Sequence, residues 1–103
     1  METFDNKQPS EEYYLGFDFT KDLGDEDVAS AVFTITDMAD DSDVTDTLSD
    51  TTNQTNDGKI AYVWIQAGVD KHKYKITCVV TGDGTPPGIY EMEATIRVRE
   101  LYP

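Results

Sequence analysis

Basic residues are scarce in this chain. Eight Lys and Arg stand against 21 Asp and Glu in 103 residues, a net charge of −13. A protein that holds nucleic acid by its phosphates needs a cationic face to displace counterions, and the composition offers none, so no direct nucleic-acid partner is expected. An anionic membrane surface repels the chain for the same reason. Cysteine is nearly missing: Cys78 stands alone, which excludes an internal disulfide and a cysteine-based metal cluster. No apolar run approaches the roughly 20 residues that span a bilayer. The opening Met1–Ser10 lacks the basic and apolar regions of a secretory signal, so synthesis and retention in the cytoplasm are expected. Helical periodicity is missing too, and no helix of useful length is expected.

What is present is enough for one modest core. Hydrophobic residues make up 38% of the chain, with 4 Phe, 6 Tyr and 1 Trp, which argues against wholesale disorder. The apolar pattern has a period of two. Tyr13, Leu15, Phe17 and Phe19 share one face of a first strand. Ala31, Phe33 and Ile35 share a face of the next. From Lys59 to Gln66 both faces are apolar, with Ala61, Val63 and Ile65 against Ile60, Tyr62 and Trp64, which predicts a central or doubly covered strand. Tyr74, Ile76, Cys78 and Val80 line a fourth strand. Tyr90, Met92, Ala94, Ile96 and Val98 line the longest. A weaker strand is expected through Val44–Leu48.

Turn chemistry separates these runs at Lys21–Asp25, Asn56–Lys59, Ala67–Asp70 and Gly82–Gly88. Six or seven short antiparallel strands in one domain predict an all-β, immunoglobulin-like two-sheet sandwich, with a small barrel as the alternative. The tyrosine corner and Cys–Trp–Cys marks of antibody domains are not identifiable. Residues 1–12 read as a flexible acidic arm and residues 13–103 as the domain.

The negative charge is lopsided. Met1–Asp50 holds 15 acidic residues and 2 basic ones, whereas Thr51–Pro103 holds 6 of each. Clustered carboxylates raise calcium, which takes six to eight oxygen ligands, and Asp37, Asp40, Asp41 and Asp43 are the candidates. Their spacing lacks the turn glycine and closing Glu of an EF-hand loop. The alternatives are a solvated, repelling loop, or carboxylates that mimic DNA phosphates and occupy a basic protein, an acidic inhibitor module.

Catalytic signals are thin. His72 is the only histidine and lies in Lys71-His72-Lys73, where an exposed side chain is expected. No serine sits in a nucleophile-elbow motif. Cys78 lies between Ile76 and Val80 on an apolar face and reads as a small core residue. Gly82-Asp83-Gly84 is a turn rather than a phosphate loop. Asn53-Gln54-Thr55 matches a glycosylation triplet with no secretion signal behind it. No catalytic residue and no cofactor is expected. The apolar set Ile60, Tyr62 and Trp64 either packs under a loop or second sheet, or forms a partner-binding patch, since Trp and Tyr anchor interfaces.

The order of segments resembles a known family. Tyr13-x-Leu15-x-Phe17-Asp18-Phe19 is followed by Leu23-Gly24-Asp25-Glu26-Asp27 and Phe33-Thr34-Ile35. Ala61-Tyr62-Val63-Trp64-Ile65, Tyr74-Lys75-Ile76-Thr77-Cys78 and a closing Ile96-Arg97-Val98-Arg99-Glu100 complete it. This resembles the fiber–tail adaptor proteins of tailed bacteriophages and prophages, over roughly Tyr13–Glu100. Phe33 stands where that family usually has Trp, and Val69–Lys73 where it prefers a Gly-Thr run.

The resemblance implies an immunoglobulin-like fold and a non-enzymatic structural role, joining or decorating tail and fibre components. It implies other virion or tail proteins as partners, with a homo-oligomer compatible. The location implied is the host cytoplasm during assembly and then the virion tail.

Overall fold

The computed structural model describes residues 2–3 and 6–99. Eight strands and two single helical turns follow one another: β1 (Glu2–Thr3), β2 (Tyr13–Asp18), α1 (Thr20–Leu23), β3 (Val28–Asp37), β4 (Ser42–Asp43), α2 (Thr45–Leu48), β5 (Ser49–Asp57), β6 (Ile60–Ile65), β7 (Lys73–Gly82) and β8 (Ile89–Arg97). They form a five-stranded sheet in the order β1-β8-β7-β3-β4 and a three-stranded sheet in the order β2-β6-β5. This is the expected two-sheet sandwich. The β8-β7-β3 and β2-β6-β5 orders reproduce the G-F-C and B-E-D sheets of the immunoglobulin topology. Pairing is antiparallel except where β1 runs parallel to β8.

The period-two pattern explains the packing. Leu15, Phe17, Ala61, Val63 and Ile65 point inward from one sheet. Phe33, Ile35, Tyr74, Ile76, Cys78, Val80, Ala94, Ile96 and Val98 point inward from the other, and all are buried in one cluster. Phe17 on β2 meets Phe33 on β3 across the sandwich, ring centroids 5.7 Å apart. With no disulfide available, this aromatic contact pins the sheets, and burying each ring stabilises the fold by about 1.5–3 kcal/mol. As its two apolar faces predict, β6 is the central strand of its sheet.

Three local expectations change. Val44–Leu48 is not a strand: Thr45–Leu48 forms the helical turn α2, because Asp43 Oδ1 accepts from both the N–H and the hydroxyl of Thr45. That side-chain bond offers the backbone an alternative to a ladder. The turn drives Leu48 into the core at 3% exposure. Second, the turn expected at Asn56–Lys59 is shorter, because β5 takes in the polar 51–56 stretch and runs to Asp57, paired to β6 on either side of a register irregularity between Asp50 and Thr55.

Third, a tyrosine corner is present. Tyr74 begins β7 buried, and its hydroxyl accepts from the Val69 N–H at 2.9 Å. The bond reaches back across the β6–β7 connection, where such a corner belongs.

Two further clasps hold the ends. Lys7 lies in the segment read as an arm, yet its backbone bridges Val98 in parallel and it is buried. Its Nζ donates to the carbonyls of Ala67 (2.6 Å), Gln8 (2.8 Å) and Pro9 (3.3 Å). Burial lowers its pKa, opposed by Glu11 and Glu12. At the opposite end, Glu26 Oε1 accepts from the N–H groups of Gly84 (2.8 Å) and Gly88 (3.2 Å). A Cβ at Gly84 would overlap that carboxylate, so a larger residue there would displace the Glu26 side chain.

Candidate functional site

The outer face of the three-stranded sheet carries the aromatic set. On β6, Ala61, Val63 and Ile65 are fully buried, so Ile60, Tyr62 and Trp64 point the other way and are half-buried. The register sets Tyr14 opposite Trp64 and Gly16 opposite Tyr62. Tyr14 packs edge-on against Trp64, centroids 5.0 Å apart at 82°, and against Tyr62 at 6.2 Å and 73°. Gly16 makes room for this: a Cβ there would lie 2.9 Å from Tyr62 Cε1. Edge-to-face pairs of this kind add about 0.5–1.5 kcal/mol beyond area burial. The result is an aromatic platform whose most exposed member, Tyr14, keeps 45% of its surface in water.

Tyr14 was not among the residues singled out in the sequence. Its apolar neighbours Tyr13, Leu15 and Phe17 advertise the opposite face. Only the β2–β6 register brings it beside Trp64.

Acidic residues border the platform. Asp18 and Asp57 pair with Ile60, and Asp50 pairs with Trp64. Cross-strand partners share a face, so these carboxylates flank the aromatics at both ends. The hydroxyl and N–H of Thr20 hold the Asp18 carboxyl below the ordinary carboxylate range.

The calcium candidates do not converge. Asp37 is buried, with Oδ2 2.8 Å from His72 Nδ1 and Oδ1 accepting from the Ala39 N–H. Asp40 Oδ1 accepts from the N–H and hydroxyl of Ser42, and Asp43 does the same for Thr45. Those bonds lower both carboxyl pKa values. Asp41 sits exposed at a φ of 59°. Apart from the Asp37–His72 contact, each described partner is local, so the Asp40 and Asp43 carboxylates serve turns. Among the described residues no three His, Cys, Asp or Glu side chains come together as a metal site.

His72 is also not the free side chain expected among lysines. It is half-buried and bonded to Asp37, because the Tyr74–Asp37 register places the two strand ends together. Among the described residues no serine hydroxyl joins this pair, so nucleophile, base and orienter are not assembled. Cys78 is fully buried, and desolvation pushes its thiol up to about 12.

One compositional expectation is revised. The chain does build a small cationic face, because β7–β8 pairing sets Lys73 beside Arg97 and Lys75 beside Thr95. Composition could not show this, since the residues are far apart in sequence. No described helix is long and apolar enough to cross a membrane.

No curated protein matches the chain significantly. A family does: residues 7–99 match the one described as podophage GP4 fiber-tail adaptor protein gp77, which spans both sheets, the aromatic platform and the Lys7 clasp. The two-sheet fold and this match over nearly the whole chain agree, and the protein belongs to the podophage GP4 fiber-tail adaptor protein gp77 family of phage structural proteins.

Proposed function

We propose that this chain joins a fibre component to a tail component, and that it docks one of them on the outer face of the β2-β6-β5 sheet. The observation that carries this reading is the aromatic platform. Tyr14, Tyr62 and Trp64 stay partly exposed and pack edge-on, with the Tyr62 ring over Gly16. Large rigid aromatics at the centre of a face are the residues that dominate interface energetics. Their acidic border fits a partner with an apolar centre and a Lys- or Arg-bearing rim. Charge of that kind steers and orients the encounter more than it adds affinity. The chain would act from the host cytoplasm during assembly into the virion tail. Joining requires stable contact and no turnover chemistry.

The test is co-purification of tagged protein with virion proteins from infected cells. Wild type is expected to retain a tail or fibre protein. Tyr62→Ala/Trp64→Ala is expected to lose at least tenfold of that retention while keeping a cooperative melt. Retention of no tail or fibre protein by wild type overturns the joining role. Unchanged retention by the variant overturns the platform as the docking face.

A further inference from the structure

We infer that the outer face of the five-stranded sheet carries a second docking site, which takes a carboxylate-rich segment of a second protein. On β7, Lys73 and Lys75 alternate with buried Tyr74 and Ile76 and so face outward. At the end of β8 and just beyond it, Arg97 and Arg99 alternate with buried Ile96 and Val98. Lys71 is fixed at the rim by its N–H bond to the Val98 carbonyl, 2.8 Å. Five of the chain's eight Lys and Arg therefore meet at one end of one face. Lys71, Arg97 and Arg99 line, with Asp70, a depression of about 470 Å³.

The chemistry of this cluster points outward. The Lys59–Asp27 and His72–Asp37 ion pairs use none of these five side chains. Like charges are gathered at this end of a protein of net charge −13, and holding them together carries a repulsive cost even in water. An anionic partner offsets that cost.

Size selects the partner. Residues two apart on a strand are about 7 Å apart and neighbouring strands about 4.8 Å, so the patch matches a few carboxylates. Arginine forks bind carboxylates in bidentate fashion. A nucleic-acid duplex is far longer and would run from the patch onto Glu91 and Glu93, further along the same face of β8.

This inference rests on the joining role proposed above. A joint needs two separate surfaces, and this one lies across the sandwich from Tyr14, Tyr62 and Trp64.

The probe is an octaglutamate peptide added to isotope-labelled protein, followed by amide chemical shifts. Expected are shifts confined to residues 71–75 and 95–99, and binding that disappears by roughly 0.5 M salt, where the Debye length falls below about 5 Å. Lys73→Glu/Arg97→Glu should weaken binding at least tenfold, and Lys73→Gln/Arg97→Gln by an intermediate factor. Tyr62→Ala/Trp64→Ala should leave it unchanged.

Shifts elsewhere, no shifts, or insensitivity to both double variants overturn the site. Displacement of the peptide by a short DNA duplex would make the patch a phosphate reader and overturn the carboxylate assignment. Self-association in sedimentation that the charge reversal dissolves would give the surface to a second copy, and also overturns it. If peptide binding fails while a tail or fibre protein is still retained, only this site falls. If retention fails while the peptide binds, the joining role falls.

Discussion

Replacing Tyr74 by Phe removes one oxygen and keeps the buried ring. That oxygen accepts the Val69 N–H at 2.9 Å, and the bond fixes the connection between β6 and β7. The same connection supplies the Ala67 carbonyl to Lys7 and carries Lys71 to the cationic face. A bond of this type nets about 0.5–1.5 kcal/mol, and more when the orphaned partner stays dry, so Tyr74→Phe should cost about 1–2 kcal/mol. For a domain of this size that is a fall in midpoint of roughly 5–12 °C. The assay is thermal and urea unfolding by circular dichroism, with an unchanged urea slope showing that the native fold persists.

Lys7→Met provides a second arm. Both side chains staple one loop, so the double variant should depart from additivity by at least about 0.5 kcal/mol. A midpoint shift for Tyr74→Phe no larger than that of Tyr14→Phe, whose ring is half exposed, would refute the corner as a structural element. Strict additivity with Lys7→Met would refute the shared staple.

Strong acid should weaken the acidic turns. The Asp43 carboxyl is held below the ordinary value of 3.8 by its bonds from Thr45, so its contribution is complete above that value and is lost as pH falls through the lower folded value. The melting midpoints of wild type and Asp43→Ala should therefore differ at neutral pH and converge on acidification below 3.8; a gap that is constant with pH would exclude this origin. At the other end of the molecule, Glu26→Ala frees the Gly84 and Gly88 N–H groups. Amide exchange should accelerate at least tenfold at those two glycines, with the β3 and β7 cores unchanged and Glu26→Gln intermediate. Unaltered protection at Gly84 would show that the carboxylate does not hold the turn.

The legible parts of the fold were those written in period two. Tyr13–Phe19, Ile60–Ile65, Tyr74–Val80 and Tyr90–Val98 show which side chains face inward, because a strand must alternate to bury one side. The misread parts were those where a polar side chain competes with the ladder. Asp43 and Thr45 turn Val44–Leu48 into a helical turn, and no apolar pattern announces it. The tyrosine corner was hidden for another reason. A tyrosine at the start of a strand looks like any core residue until the loop before it folds back onto its hydroxyl.

The candidate site divides in the same way. Ile60, Tyr62 and Trp64 stand out as a second apolar face on a strand that already has one. Tyr14 joins them only through register, and Gly16 shows its purpose only when the Tyr62 ring lies over it. The calcium candidates cluster in sequence, yet among the described residues they form no metal site: Asp40 and Asp43 turn to the nearest backbone N–H and hydroxyl, and Asp37 to Ala39 and His72.

By itself, the sequence determined the fold class, the inward-facing residues, the lone buried thiol and the excess of negative charge. These follow from local alternation and from counting. The tertiary structure decided where charge and aromatic surface accumulate. Antiparallel pairing of β7 with β8 brings residues 71–75 beside 97–99, and it makes a cationic patch on a protein of net charge −13. Pairing of β2 with β6 does the same for the aromatics on the other side. Register is a long-range property set by the packing of both sheets, and a docking surface is assembled from it.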